Sequence, residues 1–352
     1  MTIGWGIIST GNYPDTSIAP AINQAKDAEL ISVYSRDQGR GEAFAQKHGA
    51  KTAYTSVEEL LGDSRVDAVY VASPNHLHAP HTEQAANAGK HVLVEKPLAL
   101  DVAEGLEMVR NCRARRVKLG IGFQLRHHPG HMEASRLVKE GALGTVALAQ
   151  AQLGSGVRGE VRPAPRTGLR EWWEHPDMIG GALTMIGQGV HCVDDLHFIL
   201  GQHVVEIAAI TDGQTPEQPL ENLATMCLKF SGGTIGTVCC GRRMPEFQND
   251  VTIYGSDGKI VLADAAPPRL QGELRVSSET VNSTVAYQPD AVVLVTRQIE
   301  DFNRAIKEDR DPAASGIDGL KLVQVTVGMV ESASTGRTHW SLTVRLSWYQ
   351  TS

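Results

Sequence analysis

The sequence has no apolar run near the ~18 residues needed to cross a bilayer, no excess of basic charge and no paired-cysteine spacing. Each absence removes a class of protein. Without a long apolar run no helix is expected to span a membrane. Met1 and Thr2 lead straight into the strand-like Ile3–Ile8, so no signal peptide is expected either. A net charge of −7 argues against a chain built to grip nucleic acid, which is usually basic. The five cysteines (Cys112, Cys192, Cys227, Cys239 and Cys240) are odd in number and lack C-x-x-C spacing, so they form neither a disulfide framework nor a zinc site. They fit a reducing compartment, and the expected location is the cytoplasm. Fixed-period repeats and low-complexity tracts are also missing.

What is present is an ordinary globular composition, 41% hydrophobic and 21% charged, over 352 residues, enough for two domains. In the first third, apolar runs of strand length (Ile3–Ile8, Leu30–Tyr34, Ala68–Ala72, His91–Val94, Val117–Gly122) alternate with helix-like stretches. Ser56 and Asp101 each stand three residues before a Glu, the form of a helix N-terminus. Alternating elements with short buried strands predict a doubly wound parallel sheet, which binds ligands at the C-terminal ends of its strands. After Phe123 the pattern changes. A helix over Pro129–Glu140 is followed by β segments at Val146–Leu153, Val204–Thr211, Leu223–Phe230, Thr234–Cys240, Val251–Tyr254 and Lys259–Leu262, with helices around 192–200, 293–307 and 320–333. Serial strands predict a largely antiparallel open sheet in an α+β domain. The expected division is a dinucleotide-binding Rossmann-type α/β domain over 1–123 and a substrate-binding and oligomerisation domain over 124–352.

The loop after the first strand reads Ser9-Thr10-Gly11-Asn12-Tyr13-Pro14. A dinucleotide fold favours G-x-G-x-x-G/A here, and only the middle glycine survives, the one that lets the backbone approach a pyrophosphate at a helix N-terminus. At the end of the second strand, where NAD-binding folds place an acid for the ribose 2′-hydroxyl, the chain has Tyr34-Ser35-Arg36, with Arg40 one turn on. A hydroxyl and two guanidiniums suit a 2′-phosphate, so NADP is expected over NAD.

The segment His91-Val92-Leu93-Val94-Glu95-Lys96-Pro97-Leu98 resembles the signature of the glucose–fructose oxidoreductase / inositol dehydrogenase (Gfo/Idh/MocA) family, a strand ending in Glu-Lys-Pro. Further pieces resemble the same family in order along nearly the whole chain: Ser73-Pro74-Asn75 through His78, Gly120–Arg126, Trp172–Pro176, Gly180-Gly181, His191 with Asp194, and Asp318-Gly319-Leu320. The resemblance implies a nicotinamide cofactor held by the Ser9–Tyr13 loop, Ser73, Pro74, Asn75, His78, Glu95, Lys96, Pro97 and Trp172. It also implies a sugar or polyol substrate facing Lys96, Arg126, Trp173, His191 and Asp194, with His191 as general base and a homo-oligomer built on the open sheet.

Residue chemistry agrees at Lys96. A lysine at the tip of a buried parallel strand faces the ligand cleft, where its ammonium would bind a reacting oxygen and stabilise developing charge. Histidine suits proton transfer because its pKa lies near working pH. The chain departs from the family at one point. Many members carry an Asp four residues before this histidine, where Gly187 stands here, and the spacing from Gly181 to His191 is one residue longer than the family pattern. Either another acid serves, Asp194 and Asp195 being the candidates, or Lys96 and His191 work alone. Trp173 stands where relatives often have Arg.

Arg158, Arg162, Arg166 and Arg170 recur every four residues, but Gly159, Pro163, Pro165 and Gly168 predict a loop, one that would present an Arg to an anionic substrate. The histidine groups 127, 128, 131 and 76, 78, 81 lack a nearby acidic ligand in sequence, and no metal is expected. The expected function is NADP(H)-dependent hydride transfer at a carbinol or ketone carbon of a sugar-like substrate. A redox-neutral enzyme that oxidises the sugar transiently, cleaving or epimerising it, and a non-catalytic nucleotide-sensing regulator both remain open.

Overall fold

The computed structural model describes residues 1–160 and 163–340. Six strands form a parallel sheet: β1 (Ile3–Ile8), β2 (Ala28–Tyr34), β3 (Thr52–Tyr54), β4 (Ala68–Val71), β5 (His91–Val94) and β6 (Leu119–Ile121), in the order β3-β2-β1-β4-β5-β6. This is the doubly wound order, in which the chain reverses direction across the sheet between β1 and β4 and opens a crevice at their C-terminal ends. The intervening helices are α1 (Ala19–Gln24), α2 (Gln38–His48), α3 (Val57–Gly62), α4 (His78–Asn87) and α5 (Val102–Ala114). Asp37, Ser56 and Asp101 cap α2, α3 and α5 through their side-chain oxygens, relieving unpaired N–H groups at each helix start.

The second sheet holds β7 (Val146–Gly154), β8 (Val204–Thr211), β9 (Leu223–Phe230), β10 (Ile235–Gly241), β11 (Val251–Gly255), β12 (Gly258–Ala263), β13 (Gly272–Ser278), β14 (Asn282–Tyr287) and β15 (His339–Trp340), ordered β14-β13-β12-β11-β7-β10-β9-β8-β15. Its pairs are antiparallel except β10 on β7. The helices α6 (Pro129–Lys139), α7 (Pro176–Ile179), α8 (Val190–Leu200), α9 (Ala291–Lys307) and α10 (Gly316–Thr335) complete the fold. Strand residues alternate between buried and exposed, as in β9, so one face packs on helices and the other stays open. Ile210, Ile235, Tyr254 and Val285 are exposed on strands of this sheet.

Helix α9 does not cover the second sheet. Its Val295, Ile299 and Phe302 pack with Ile3, Trp5, Ile7, Tyr70 and Leu93 of the first, and Trp5 Nε1 donates to Asn303 Oδ1 at 3.1 Å. The late chain thus returns to roof one face of the parallel sheet. The sequence reading did not include the helical stretch Pro14–Gln24, which starts with a π turn, the short helix α7, or strands β3, β13, β14 and β15.

Candidate active site

One cleft of about 1160 Å³ runs from the C-terminal ends of the parallel strands to the second sheet. On the first side lie Ser9, Thr10, Gly11, Asn12 and Tyr13 after β1, then Ser35, Arg36 and Arg40 after β2. Ser73, Pro74, Asn75 and His78 follow β4, and Glu95 and Lys96 follow β5. Facing them are Trp172, Trp173, Gly187, Gln188 and His191. Pro97 stands just behind, its carbonyl 2.7 Å from His78 Nδ1.

The loop after β1 fits a dinucleotide. A Cβ at Gly11 would meet only Ser9 Oγ at 3.4 Å and Pro14 Cδ at 3.9 Å, so the protein's own packing does not demand glycine there. A small residue at that point serves the space in front of it, where a pyrophosphate would come against the backbone. Beside it, Arg40 Nε donates to Thr10 Oγ1 at 3.0 Å, and Thr10 Oγ1 donates to Ser35 Oγ at 3.2 Å. Asp37, the one nearby acid, is occupied in capping α2, where it accepts from Arg40 N at 2.7 Å.

At the other end Lys96 Nζ donates to the Gly187 carbonyl at 3.1 Å and lies 5.9 Å from the centre of the Trp173 ring. Burial lowers the Lys96 pKa below the usual lysine value; the neighbouring Glu95 opposes this and Arg166 adds to it. Glu95, raised in turn by burial, accepts from Tyr70 OH at 2.7 Å. His191 is buried and, among the described residues, its ring has no hydrogen-bond partner. Burial, then the Lys96 charge, pushes its pKa well below the ordinary imidazole range, so the ring is neutral at pH 7.

Between Gly181 and His191 the chain makes a π turn, Met185–Gly189, ahead of α8. A π turn is a one-residue insertion that re-aims the residues around it. It is held by a residue the sequence reading missed. Glu221, fully buried, accepts from the backbone N–H groups of Leu183, Thr184 and Met185 at 3.0, 2.7 and 2.8 Å, and from Thr184 Oγ1 at 3.1 Å. These four donors lie 36 to 38 residues away, and only a fifth, Gln214 Nε2 at 3.0 Å, is near in sequence, so the spacing does not announce the turn it holds.

Two expectations are corrected. Arg126 and Asp194 do not line the cleft. They form a buried pair at 2.6 Å, with Arg126 also bonded to the Ala313 carbonyl at 2.8 Å. Neither Asp194 nor Asp195 replaces the acid missing at 187, since Asp195 is bonded to His131 in the interior. The position of that acid is instead met by the Gly187 carbonyl itself. Of the arginine loop, Arg166 and Arg170 line the cleft, Arg158 points to Glu246 at 3.3 Å, and Arg162 lies outside the described residues. Arg242, after β10, also lines the cleft and had no signal in the sequence reading.

Crevice, glycine loop and buried lysine together define a nucleotide-dependent oxidoreductase. Residues 3–123 match the oxidoreductase family with an NAD-binding Rossmann fold, and residues 131–261 match the GFO/IDH/MocA C-terminal domain. The chain belongs to the Gfo/Idh/MocA oxidoreductase family. It is 30% identical to 1,5-anhydro-D-fructose reductase of Ensifer adhaerens over 335 residues, covering 95% of this chain and 97% of that protein. It is 29% identical to D-xylose 1-dehydrogenase (NADP(+)) 2 of Haloferax volcanii over 340 residues, covering 94% and 98%. The crystal structure of aldose-aldose oxidoreductase from Caulobacter crescentus, at 24% identity, superposes with a TM-score of 0.85 over 97% of this chain and 100% of that one, and shares its fold. Among the described residues no helix is long and apolar enough to cross a membrane.

Proposed function

We propose that the protein interconverts a carbinol and a carbonyl on a sugar or sugar-like polyol, with NADP(H) preferred over NAD(H). The observation that carries this reading is the convergence of Lys96 and His191 on one cleft whose other end is the Gly11 loop. When bound, the dinucleotide takes up or delivers the hydride. Lys96 Nζ, already oriented by the Gly187 carbonyl, donates to the substrate oxygen and offsets its developing charge. In the oxidative direction the neutral His191 ring accepts the hydroxyl proton; in reduction a proton returns to the oxygen from the same pair. Glu95 keeps a counter-charge beside Lys96.

Sugar as the substrate class is supported by the names of the two relatives. NADP is supported by Arg36 and Arg40 standing in the cleft while Asp37 is spent on α2. We assign residues 1–123 to dinucleotide binding and 124–352 to substrate binding and association, with α9 of the second part roofing the first. The exposed Ile210, Ile235 and Tyr254 on the open sheet face support a homodimer formed there; a monomeric mass by light scattering at micromolar concentration overturns it. Five free cysteines, one of them exposed, support a cytoplasmic location.

The test is a panel of sugars, beginning with 1,5-anhydro-D-fructose and D-xylose, assayed at 340 nm with both nucleotides. Lys96→Ala and His191→Ala should each lower kcat by about 10²–10⁴-fold, the scale for a positioned acid or base. Near-wild-type turnover in both variants refutes the assignment.

A further inference from the structure

Two consecutive arginines at the end of β10 behave oppositely. Arg243 is paired with Asp212 at 2.7 Å. Arg242 is half-buried in the cleft and, among the described residues, its guanidinium has neither a hydrogen bond nor an ion pair. Arg170, from the loop opposite, lines the same cleft and its guanidinium is likewise unpartnered among the described residues. Arg166 has one ion pair, to Glu174 at 3.4 Å, and its guanidinium carbon lies 5.2 Å from the centre of the Trp173 ring. The carboxylates acting on this group are Glu174 and, on Arg242, Glu160. Burial and then the Arg242 charge hold the Arg166 pKa down to about 10. Half-buried guanidiniums crowd together unfavourably unless an anion neutralises them.

Arg242 is tied to the His191 side of the cleft. Ser155 N donates to the Gly241 carbonyl, next to Arg242, at 2.8 Å. Gln188 Nε2 donates to Ser155 Oγ at 3.4 Å, and Gln188 is on the π turn just before His191. Gln188 Oε1 is buried without a partner, an acceptor free for a substrate hydroxyl. Arg166 and Lys96 share one indole, that of Trp173. At 5.9 and 5.2 Å from that one ring centre, the Lys96 ammonium and the Arg166 guanidinium are close enough for one sugar-sized molecule to reach both.

We propose that Arg242, Arg166 and Arg170 form an anion subsite and that the substrate carries a carboxylate or phosphate group besides its reacting carbinol or ketone. This rests on the reading of the cleft as an oxidoreductase active site. A neutral sugar gains little from three guanidiniums, whereas an oxyanion is held by charge-assisted, bidentate hydrogen bonds.

The test is calorimetric titration of the NADP⁺-saturated enzyme with D-glucuronate, D-glucose 6-phosphate and D-glucose. At least one charged probe should bind tenfold or more tightly than D-glucose. Arg242→Gln should remove most of that preference and Arg166→Gln part of it, with the NADPH dissociation constant within twofold of wild type. Arg170→Gln, an exposed position, supplies a third variant with no folding risk. Three results overturn the proposal: no charged probe outbinds D-glucose; the preference survives in all three variants; or NADPH binding weakens as much as probe binding, which gives the guanidiniums to the cofactor's phosphates. The readout is a dissociation constant and not a rate, so these failures are distinct from a failure of Lys96→Ala or His191→Ala to lower activity, which rejects the reaction instead.

Discussion

Restoring the family's missing carboxylate gives the sharpest test of how Lys96 works. A Cβ at Gly187 would meet only Trp173, at 3.5 and 3.8 Å, ordinary van der Waals contact, and the backbone there does not have positive φ. Gly187→Asp therefore fits without moving the chain. Its carboxylate would come near the Lys96 ammonium, which sits 3.1 Å from the same residue's carbonyl. At ~4 Å and an effective dielectric near 20 the attraction is about 4 kcal/mol, and desolvation of the new carboxylate offsets part of it. An opposite charge at this range shifts a pKa by about 1–3 units. The sign follows from the ammonium. Burial lowers the Lys96 pKa in the wild type, so a reaction that needs the cation is lost as pH rises through that lowered value. Gly187→Asp raises the pKa again, and the basic limb of the kcat–pH profile in the reductive direction should move up by at least about 1 unit. The new carboxylate also offsets the Lys96 charge that is the second cause of the low His191 pKa, so any acid limb should move up as well. A folded, nucleotide-binding Gly187→Asp enzyme whose basic limb stays in place would show that Lys96 is not the group that titrates.

Two further outcomes follow from the site. Arg36→Ala with Arg40→Ala should weaken NADPH by the loss of charged hydrogen bonds, about 1.5–3 kcal/mol, and leave NADH nearly unchanged in a fluorescence titration; equal loss for both nucleotides refutes the 2′-phosphate reading. Glu221→Gln removes the charge from an acceptor of three backbone N–H groups, and should cost about 1–3 kcal/mol in denaturant unfolding while lowering kcat through the π turn that leads to His191. A stable variant with wild-type kcat would show that the turn holds itself.

Legibility in the sequence followed burial and locality. Strands β8 and β9 and the core of β5 are continuous or alternating apolar runs, and were readable residue by residue. β14 was not, because Asn282–Ala286 are all exposed and carry no hydrophobic pattern; β3 is three half-buried residues. The stretch Pro14–Gln24 hides behind Pro14 and Pro20, which suit the first turns of helical segments but read locally as breakers. In the cleft, residues at the tips of parallel strands (Gly11, Ser35, Lys96) were readable because the fold itself directs strand tips to the ligand. Glu221 and Arg242 were not. Each acts on groups brought to it from far along the chain, and neither is part of a spacing. Arg126 and Asp194 show the reverse error: a family-like position led outward to the substrate, while the structure turns both inward onto one another.

The roofing of the first sheet by α9 has a consequence for biosynthesis. The strands β1–β6 are complete once residue 121 has been made, yet one of their faces is covered only in part, by residues of α1 and α2, until residues 291–307 arrive. Trp5, Ile7 and Tyr70, wholly enclosed in the finished protein, wait through more than half of translation with that side incompletely covered. Contacts of such long sequence separation form slowly, and an uncovered apolar sheet is prone to stick to its neighbours. The nascent chain is thus a natural client for chaperones that shield apolar surface. A helix encoded in the final fifth of the message completes the cover of strands that were synthesised first.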